Sequence, residues 1–581
     1  MGNIRVSRWW MSCALFSVAS TQAPGQIAVN DVTAVSGAEF LHTPAFLMIP
    51  GIQDWMPSGI AVGDFNRDGW QDMFWLGGGG VPDKLYINNG DGTFAEQAQA
   101  WGVAALHGGC GACAGDYDGD GWIDIYVTSF GTAQTNQGEL GKNRLYHNNG
   151  NGTFTNVAEQ AGVNYTSYIL SAGYGGAFGD YDLDGDLDLC VTAWYASAQG
   201  NRLYRNDGDG TFTDVTGTAI TFPNPLWGFQ SCFADMNEDG WPELLVSADF
   251  GTSQFYRNNG NGTFTNITQA SGTGKDEHGM GQCVGDFNND GHLDWYVTSI
   301  FQDNSSPRLP NTGNKLYINQ GANVYEEISM AAGVDDGGWG WGAVAVDLDH
   351  DTHLDIVEVN GRPGSVEFAG EQEYVFRNNG NGTFAEVTND CGFTVAAEGK
   401  SVVTLDYDGD GDLDLAAGFN SSFNKLYRNE SGVLGNWLHL SFNTQNNPRI
   451  APDGFGARVT VTAGGQSFVR FVDSGPGFLG TGEICAHFGL GTIEIADEVK
   501  VLWPRGYVTV LHDVPVNQRL TIQAPSLGDL DGDGSVGGAD IGELLGRWGP
   551  VQSAFDLKAD LNNDHIVDAA DLGLLLGLWG T

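Results

Sequence analysis

The chain has 581 residues and a formal charge of −47, with 72 acidic against 25 basic side chains. That is too long for one hydrophobic core, so several domains are expected, and the acidity argues against a nucleic-acid or anionic-membrane partner. Glycine, at 87 residues, suits a chain of many tight turns.

Arg5 and Arg8 precede an apolar run from Trp9 to Ala19, and small and polar residues follow to about Gln26. This order reads as a secretory signal peptide over residues 1–26. The run is too short for a permanent bilayer anchor and no later run qualifies, so the mature chain is expected to be exported, without a membrane span. Cys13 would leave with the signal, and the seven remaining cysteines suggest no disulfide framework. Cys113, Cys232 and Cys283 each stand three residues before an acidic loop, where other copies have alanine or valine, and read as small buried strand residues.

Asp64, Asn66, Asp68 and Asp72 place oxygen side chains at positions 1, 3, 5 and 9 of a nine-residue loop with glycine at position 6. The pattern returns at Asp116, Asp118, Asp120 and Asp124, at Asp180, Asp182, Asp184 and Asp188, and at Asp235, Asn237, Asp239 and Glu243. It continues at Asp286, Asn288, Asp290 and Asp294, at Asp347, Asp349, Asp351 and Asp355, and at Asp406, Asp408, Asp410 and Asp414. The first aspartates are 52, 64, 55, 51, 61 and 59 residues apart, the period of a propeller or similar array. A hard cation such as calcium takes six to eight oxygens, and alternate carboxylates on a tight turn supply several at once. Ordinary polar turns are the alternative for one copy but not for seven in register. The sixth loop has Thr352 at the glycine position.

Around each loop the chain alternates as short strands, and Asn-Gly turns such as Asn149-Gly150 join the third and fourth. Four strands per repeat, seven times, predict a seven-bladed β-propeller over residues 27–430, with Tyr86, Tyr146, Tyr204, Tyr256, Tyr317, Phe376 and Tyr427 packed between blades. The seventh hairpin is truncated at Leu426–Asn429. These repeats resemble the FG-GAP/VCBS family of calcium-binding propeller repeats, and the resemblance implies that the seven quartets are calcium ligands with a mainly structural role.

Residues 431–525 lose the acidic loops and show short β-branched runs between glycines, which predicts a compact β-rich domain. Trp437-Leu438-His439-Leu440, His487-Phe488-Gly489-Leu490-Gly491 and Trp503-Pro504-Arg505-Gly506 resemble the ASPIC/UnbV domain that follows FG-GAP repeats in cartilage acidic proteins. His487 and Arg458 are read there as structural.

Residues 526–581 carry two twelve-residue loops, Asp529, Asp531, Asp533, Ser535 and Asp540, then Asp560, Asn562, Asp564, Asp568 and Asp571, each followed by a short amphipathic stretch. The spacing fits an EF-hand loop. The duplicated loop and helix resemble a type I dockerin, which implies a small α-helical, calcium-folded domain and a cohesin-like partner. So short a segment buries little core alone, so bound metal is expected to supply much of its folding energy.

Eight or nine residues before six of the loop aspartates stand Trp55, His107, Trp227, His278, Trp339 and Glu398, which would ring one mouth of the central channel. Aromatic and polar groups there suit an extracellular sugar or protein ligand. The expectation is a secreted, calcium-binding adhesion or scaffold protein attached through its tail. The alternative is a dockerin-tethered, polysaccharide-degrading lyase or hydrolase that uses His107, His278 and Glu398 as acid and base groups.

Overall fold

The protein is described by a computed structural model covering residues 26–44, 56–131, 142–164, 171–195, 200–302, 312–362, 368, 371–393, 395, 397–431, 435–473, 475 and 477–580. Each of the seven repeats is a four-stranded antiparallel sheet. The second has Gly109–Gly115, Asp124–Gly131, Arg144–Asn148 and Phe154–Asn156 in hydrogen-bonded order. The seventh has Glu398–Leu405, Asp414–Asn420 and Lys425–Asn429, and its fourth strand is Val29–Asp31 from the start of the chain, paired Val29 to Asn429. The truncated repeat is thus completed by a distant segment. The seven third-strand aromatics are all buried, as the sequence predicts.

Neighbouring sheets are tied by one repeated device. The last residue of each third strand is an asparagine whose Nδ2 donates to a carbonyl just after the first acidic position of the preceding repeat. Asn148 reaches Phe65 O, Asn206 Tyr117 O, Asn258 Tyr181 O, Asn319 Met236 O, Asn378 Phe287 O and Asn429 Leu348 O. Asn88 of the first sheet makes the same bond to Tyr407 O of the seventh. Second-strand hydroxyls repeat the theme: Thr128, Thr192 and Thr298 donate to Tyr174 O, Phe229 O and Trp341 O of the next sheet.

Residues 435–525 form two sheets packed face to face. One holds Asn436–Asn443 between Ala486–Gly491 and Gln518–Gln523, and the other holds Gln466–Phe471, Arg458–Ala463, Ile495–Leu502 and Val508–Pro515. Between two of these strands the chain leaves its own domain. Residues 477–482 lie among the first strands of six of the seven sheets: Gly480–Thr481 pairs in parallel with Ile60 and Ala61, Ala112 N–H donates to Leu479 O, Gln282 N–H to Gly477 O, and Leu479 N–H to Gln230 Oε1. A Cβ on Gly477 would lie 2.6 Å from Ala343 O, and Val402 O is close by. Phe478 and Leu479 are fully buried there. The period-based reading gave no sign of this insertion.

The tail has two helices, Gly538–Gly546 and Ala569–Gly577. It does not keep a core of its own. Leu530, Val536, Leu544, Leu561, Val567 and Leu575 belong to the same buried cluster as Leu440, Val459 and Trp503 of the preceding domain. Ala554 and Leu557 pack on Leu183 and Trp241 of the third and fourth acidic loops. Fully buried Arg505 stitches the seam, donating to Leu183 O, Leu557 O, Asp560 O and Asn563 Oδ1. Among the described residues no helix is long and apolar enough to cross a membrane, and no disulfide joins the seven described cysteines.

Candidate metal loops and a candidate ligand cavity

Each acidic loop joins the first and second strands of its sheet and folds by one hydrogen-bond scheme. The first aspartate accepts the N–H of position 6, as Asp64 does from Gly69 and Asp116 from Gly121. The position-5 carboxylate accepts from position 7, as Asp68 does from Trp70. The position-9 carboxylate is fully buried in all seven loops, and the six aspartates there spend both oxygens on backbone: Asp124 accepts from Tyr117 N–H and Asn148 N–H, and Asp294 from Phe287 and Asn319, whereas Glu243 accepts from Met236 N–H and Asn237 Nδ2. The aspartate staples the hairpin to the third strand, a role the spacing did not show. Thr352 is held at φ 86, the left-handed region where the other loops have glycine.

The loops meet the requirements of a hard cation. In five different loops one carboxylate, Asp116, Asp182, Asp235, Asp349 or Asp408, keeps a buried oxygen without a hydrogen-bond partner, the type of donor that calcium takes. Burial and neighbouring carboxylates push the Asp72 and Asp116 carboxyls up to about 8, and Asp182 and Asp235 to about 7. Three loops carry a cation of their own. In the second, His147 Nδ1 lies 3.1 Å from Asp118 and 3.5 Å from Asp124, and those carboxylates push its imidazole up to about 9. In the sixth, Arg377 Nε and Nη2 lie 2.7 Å and 3.0 Å from Asp349 and Asp351, and in the seventh Arg519 pairs with Asp406. The tail loops repeat the scheme: Asp540 accepts from Leu530 and Gly537 N–H, and Asp571 from Leu561 and Asp568 N–H. His565 takes the left-handed conformation at φ 63, and Asp568 caps its helix through Ala570 N–H.

The domain after the repeats covers the loop side. Arg458 donates to Gly291 O of the fifth loop and His487 Nε2 lies 2.9 Å from Gly411 O of the seventh, so both are seam residues. A cavity of about 410 Å³ separates this domain from the first two loops and is lined by Asp64, Arg67, Asp116, Gln445 and Arg519.

At the other end of the first strands lies a cavity of about 190 Å³, lined by Trp194, Phe229, Phe250, His278, Trp339, Trp341, Arg362 and Lys400 among others. Of the six residues singled out by sequence, His278 and Trp339 line it, and Trp227 packs behind it, its ring tilted 58° to that of Trp194 at 5.0 Å. His278 Nδ1 pairs at 2.6 Å with Asp249. Trp339 lies under Arg362 at 4.4 Å and has a buried indole N–H without a partner. Glu398 is half-buried beside Lys400, whose ammonium sits 4.0 Å over Trp341 and is pushed down to about 7 by burial. His107 is not at this cavity. It is fully buried as a latch in the bend before the strand Gly109–Gly115, with Nε2 2.8 Å from Asp83 and Nδ1 2.9 Å from Ser129. Trp55 lies outside the described residues. Sequence reasoning missed Trp194, from a second strand, Phe250 and Arg362, from connections, and Lys400, two residues along the first strand from Glu398 and so outside the repeat spacing.

Comparison with known proteins agrees with this division of the chain. An FG-GAP-like repeat family matches residues 64–127, 132–191, 180–246, 235–297 and 368–417, and the family described as ASPIC and UnbV matches residues 446–527. Cartilage acidic protein 1 of Mus musculus is 27% identical over 277 residues, 45% of this chain and 40% of its own length, so the chain spans well under half of that curated relative. Among solved structures, a BBS1N–ARL6DN complex aligns with a TM-score of 0.39 at 10% identity, over 64% of this chain and 92% of that one. Bacillus licheniformis rhamnogalacturonan lyase PL11 aligns with a TM-score of 0.35 at 15% identity, over 70% and 76%. The chain therefore carries FG-GAP-like repeats followed by an ASPIC and UnbV domain, with homology to cartilage acidic protein 1 over part of its length.

Proposed function

We propose that the seven sheets close into a seven-bladed β-propeller whose loops bind calcium, and that the protein is an exported adhesion or scaffold protein. The observation that carries this reading is the pairing of two faces. One face bears the acidic loops and is covered by the ASPIC and UnbV domain. The other bears an aromatic cavity with His278, Asp249, Arg362 and Lys400 on its wall. The channel between them is filled by residues 477–482, so the ligand sits in the mouth rather than in a through-passage. Flat aromatic faces and a few polar groups suit a sugar ring or a peptide side chain. In the tail, exposed Leu545, Trp548, Leu574, Leu576 and Trp579 give an apolar face for a cohesin-like partner, in keeping with a dockerin-like attachment role.

Two measurements test this. Elemental analysis of the purified chain is expected to find enough calcium per chain to fill most of the nine loops, and chelation to lower the melting temperature. A glycan and extracellular-protein array is expected to give a ligand whose binding falls at least tenfold in Trp339→Ala. Binding unchanged by that variant would remove the cavity from the proposal, and absence of calcium would remove the loops.

A second reading, a polysaccharide-cleaving enzyme, is favoured by one observation: Lys400, whose ammonium burial pushes down to about 7, lines the same cavity as the His278–Asp249 pair, an arrangement suited to general acid–base work. Cleavage of pectin or alginate that is lost in Lys400→Met would decide for it.

A further inference from the structure

We propose that His439, Glu483 and Cys485 form a binding site for one zinc-class divalent metal ion at the seam between the ASPIC and UnbV domain and the repeats. His439 lies in the strand Asn436–Asn443, and Glu483 and Cys485 follow directly on the segment inserted among the first strands. The three donor atoms all lie within 4.8 Å of one another. His439 Nε2 is 2.9 Å from Glu483 Oε1, a buried ion pair whose proton a metal ion would displace. Zinc bonds of about 2.0–2.3 Å set neighbouring ligand atoms about 3–4 Å apart, which this cluster accommodates.

The donor chemistry selects the metal. Imidazole, thiolate and carboxylate are zinc ligands, whereas calcium takes oxygens alone, so this site is distinct from the acidic loops. Charge also fits the burial: an ion of charge +2 with neutral His439, the Cys485 thiolate and the Glu483 carboxylate sums to zero. Binding then releases the proton held on the imidazole and the proton of the thiol. The carboxylate is already oriented, since Glu483 Oε1 accepts from Gln71 Nε2 at 3.0 Å and Oε2 from Asp406 N–H at 2.9 Å. Glu483 and Cys485 line a cavity of about 110 Å³ together with His487, which gives room for a water as fourth ligand. His487 is buried, its ring centroid is 6.2 Å from that of His439, and its Nδ1 has no hydrogen-bond partner. An ion here would pin one end of residues 477–482 and so hold the insertion in place.

The test uses the full chain loaded with zinc, then dialysed. Expected are one retained zinc per chain and, after exchange for cobalt(II), a thiolate charge-transfer band in the near ultraviolet. Cys485→Ser and Glu483→Gln should each lose the retained zinc with calcium content unchanged, and Cys232→Ser should keep it. Should the variants fail to fold, X-ray absorption at the zinc edge of the unmodified chain still decides. One sulfur at about 2.3 Å with nitrogen and oxygen at about 2.0 Å supports the site. No retained zinc, a shell without sulfur, or equal zinc in a folded Cys485→Ser overturns it.

Discussion

The smallest unit of this architecture is the asparagine that ends each third strand. Asn258 donates from one amide to Tyr181 O of the preceding repeat, at 2.8 Å, and to Pro242 O of its own, at 3.1 Å, while its Oδ1 accepts Gly260 N–H. No other side chain of that size offers two donors and an acceptor. Asn258→Ala leaves buried carbonyls unpaired and is expected to cost about 1–3 kcal/mol in a urea denaturation series. Asn259→Ala, one residue on and exposed, is expected to change stability by less than about 0.5 kcal/mol. In the sequence both look alike, as the Asn-Asn-Gly of a hairpin turn. Which one faces inward follows from the strand's alternation, and what it reaches lies a whole repeat away, so the bridge was invisible although the residue was in plain view.

At the scale of the loop, the same carboxylates do two jobs that conflict without a cation. They shape the turn by accepting backbone N–H groups, and they gather charge where burial disfavours it. Asp72 and Asp116 rise from the ordinary 3.8 to about 8. A carboxyl raised in the folded state favours folding most when protonated, so its contribution is fully present below the unfolded value and is lost as pH rises from about 4 to about 8. Metal-stripped protein is therefore expected to melt at progressively lower temperature across that window. Added calcium should raise the melting temperature more at pH 8 than at pH 5, where it competes with bound protons. Differential scanning calorimetry at stepped pH, with and without calcium, reads this directly; a stripped protein that grows more stable with pH would contradict it. The loops were legible from sequence because ligand spacing is local. Their arginine occupants were half legible: Arg377 sits at a fixed place in its repeat, but Arg519 reaches the seventh loop from another domain.

For the whole molecule, the boundary between the last two regions is one of sequence style and not of packing. The tail announces itself through duplicated loops, and the ASPIC and UnbV domain through its own motifs. Yet Leu544 and Leu575 from one and Val459 and Trp503 from the other fill a single core. Deleting residues 526–581 is expected to expose that core and to lower the melting temperature of everything before it, or to make the shortened chain aggregate. A self-contained module would leave the remainder unchanged. The N-terminal strand was hidden for a related reason: Val29–Asp31 is only three residues, too short for any periodicity, and finds its register solely because the seventh sheet lacks a fourth strand.

The inserted segment Gly477–Gly482 sets a constraint on time as well as on shape. Most of the chain leaves the ribosome before residue 477 exists, so the aromatic inner wall built by Tyr174, Phe229 and Trp341 must wait, uncovered, for a peg made late. The repeats are therefore not a finished folding unit when their last strand is synthesised. They become one only when the downstream domain docks and drives Phe478 and Leu479 home. A nascent chain stalled before that point is expected to remain sticky and protease-sensitive despite having every one of its repeats.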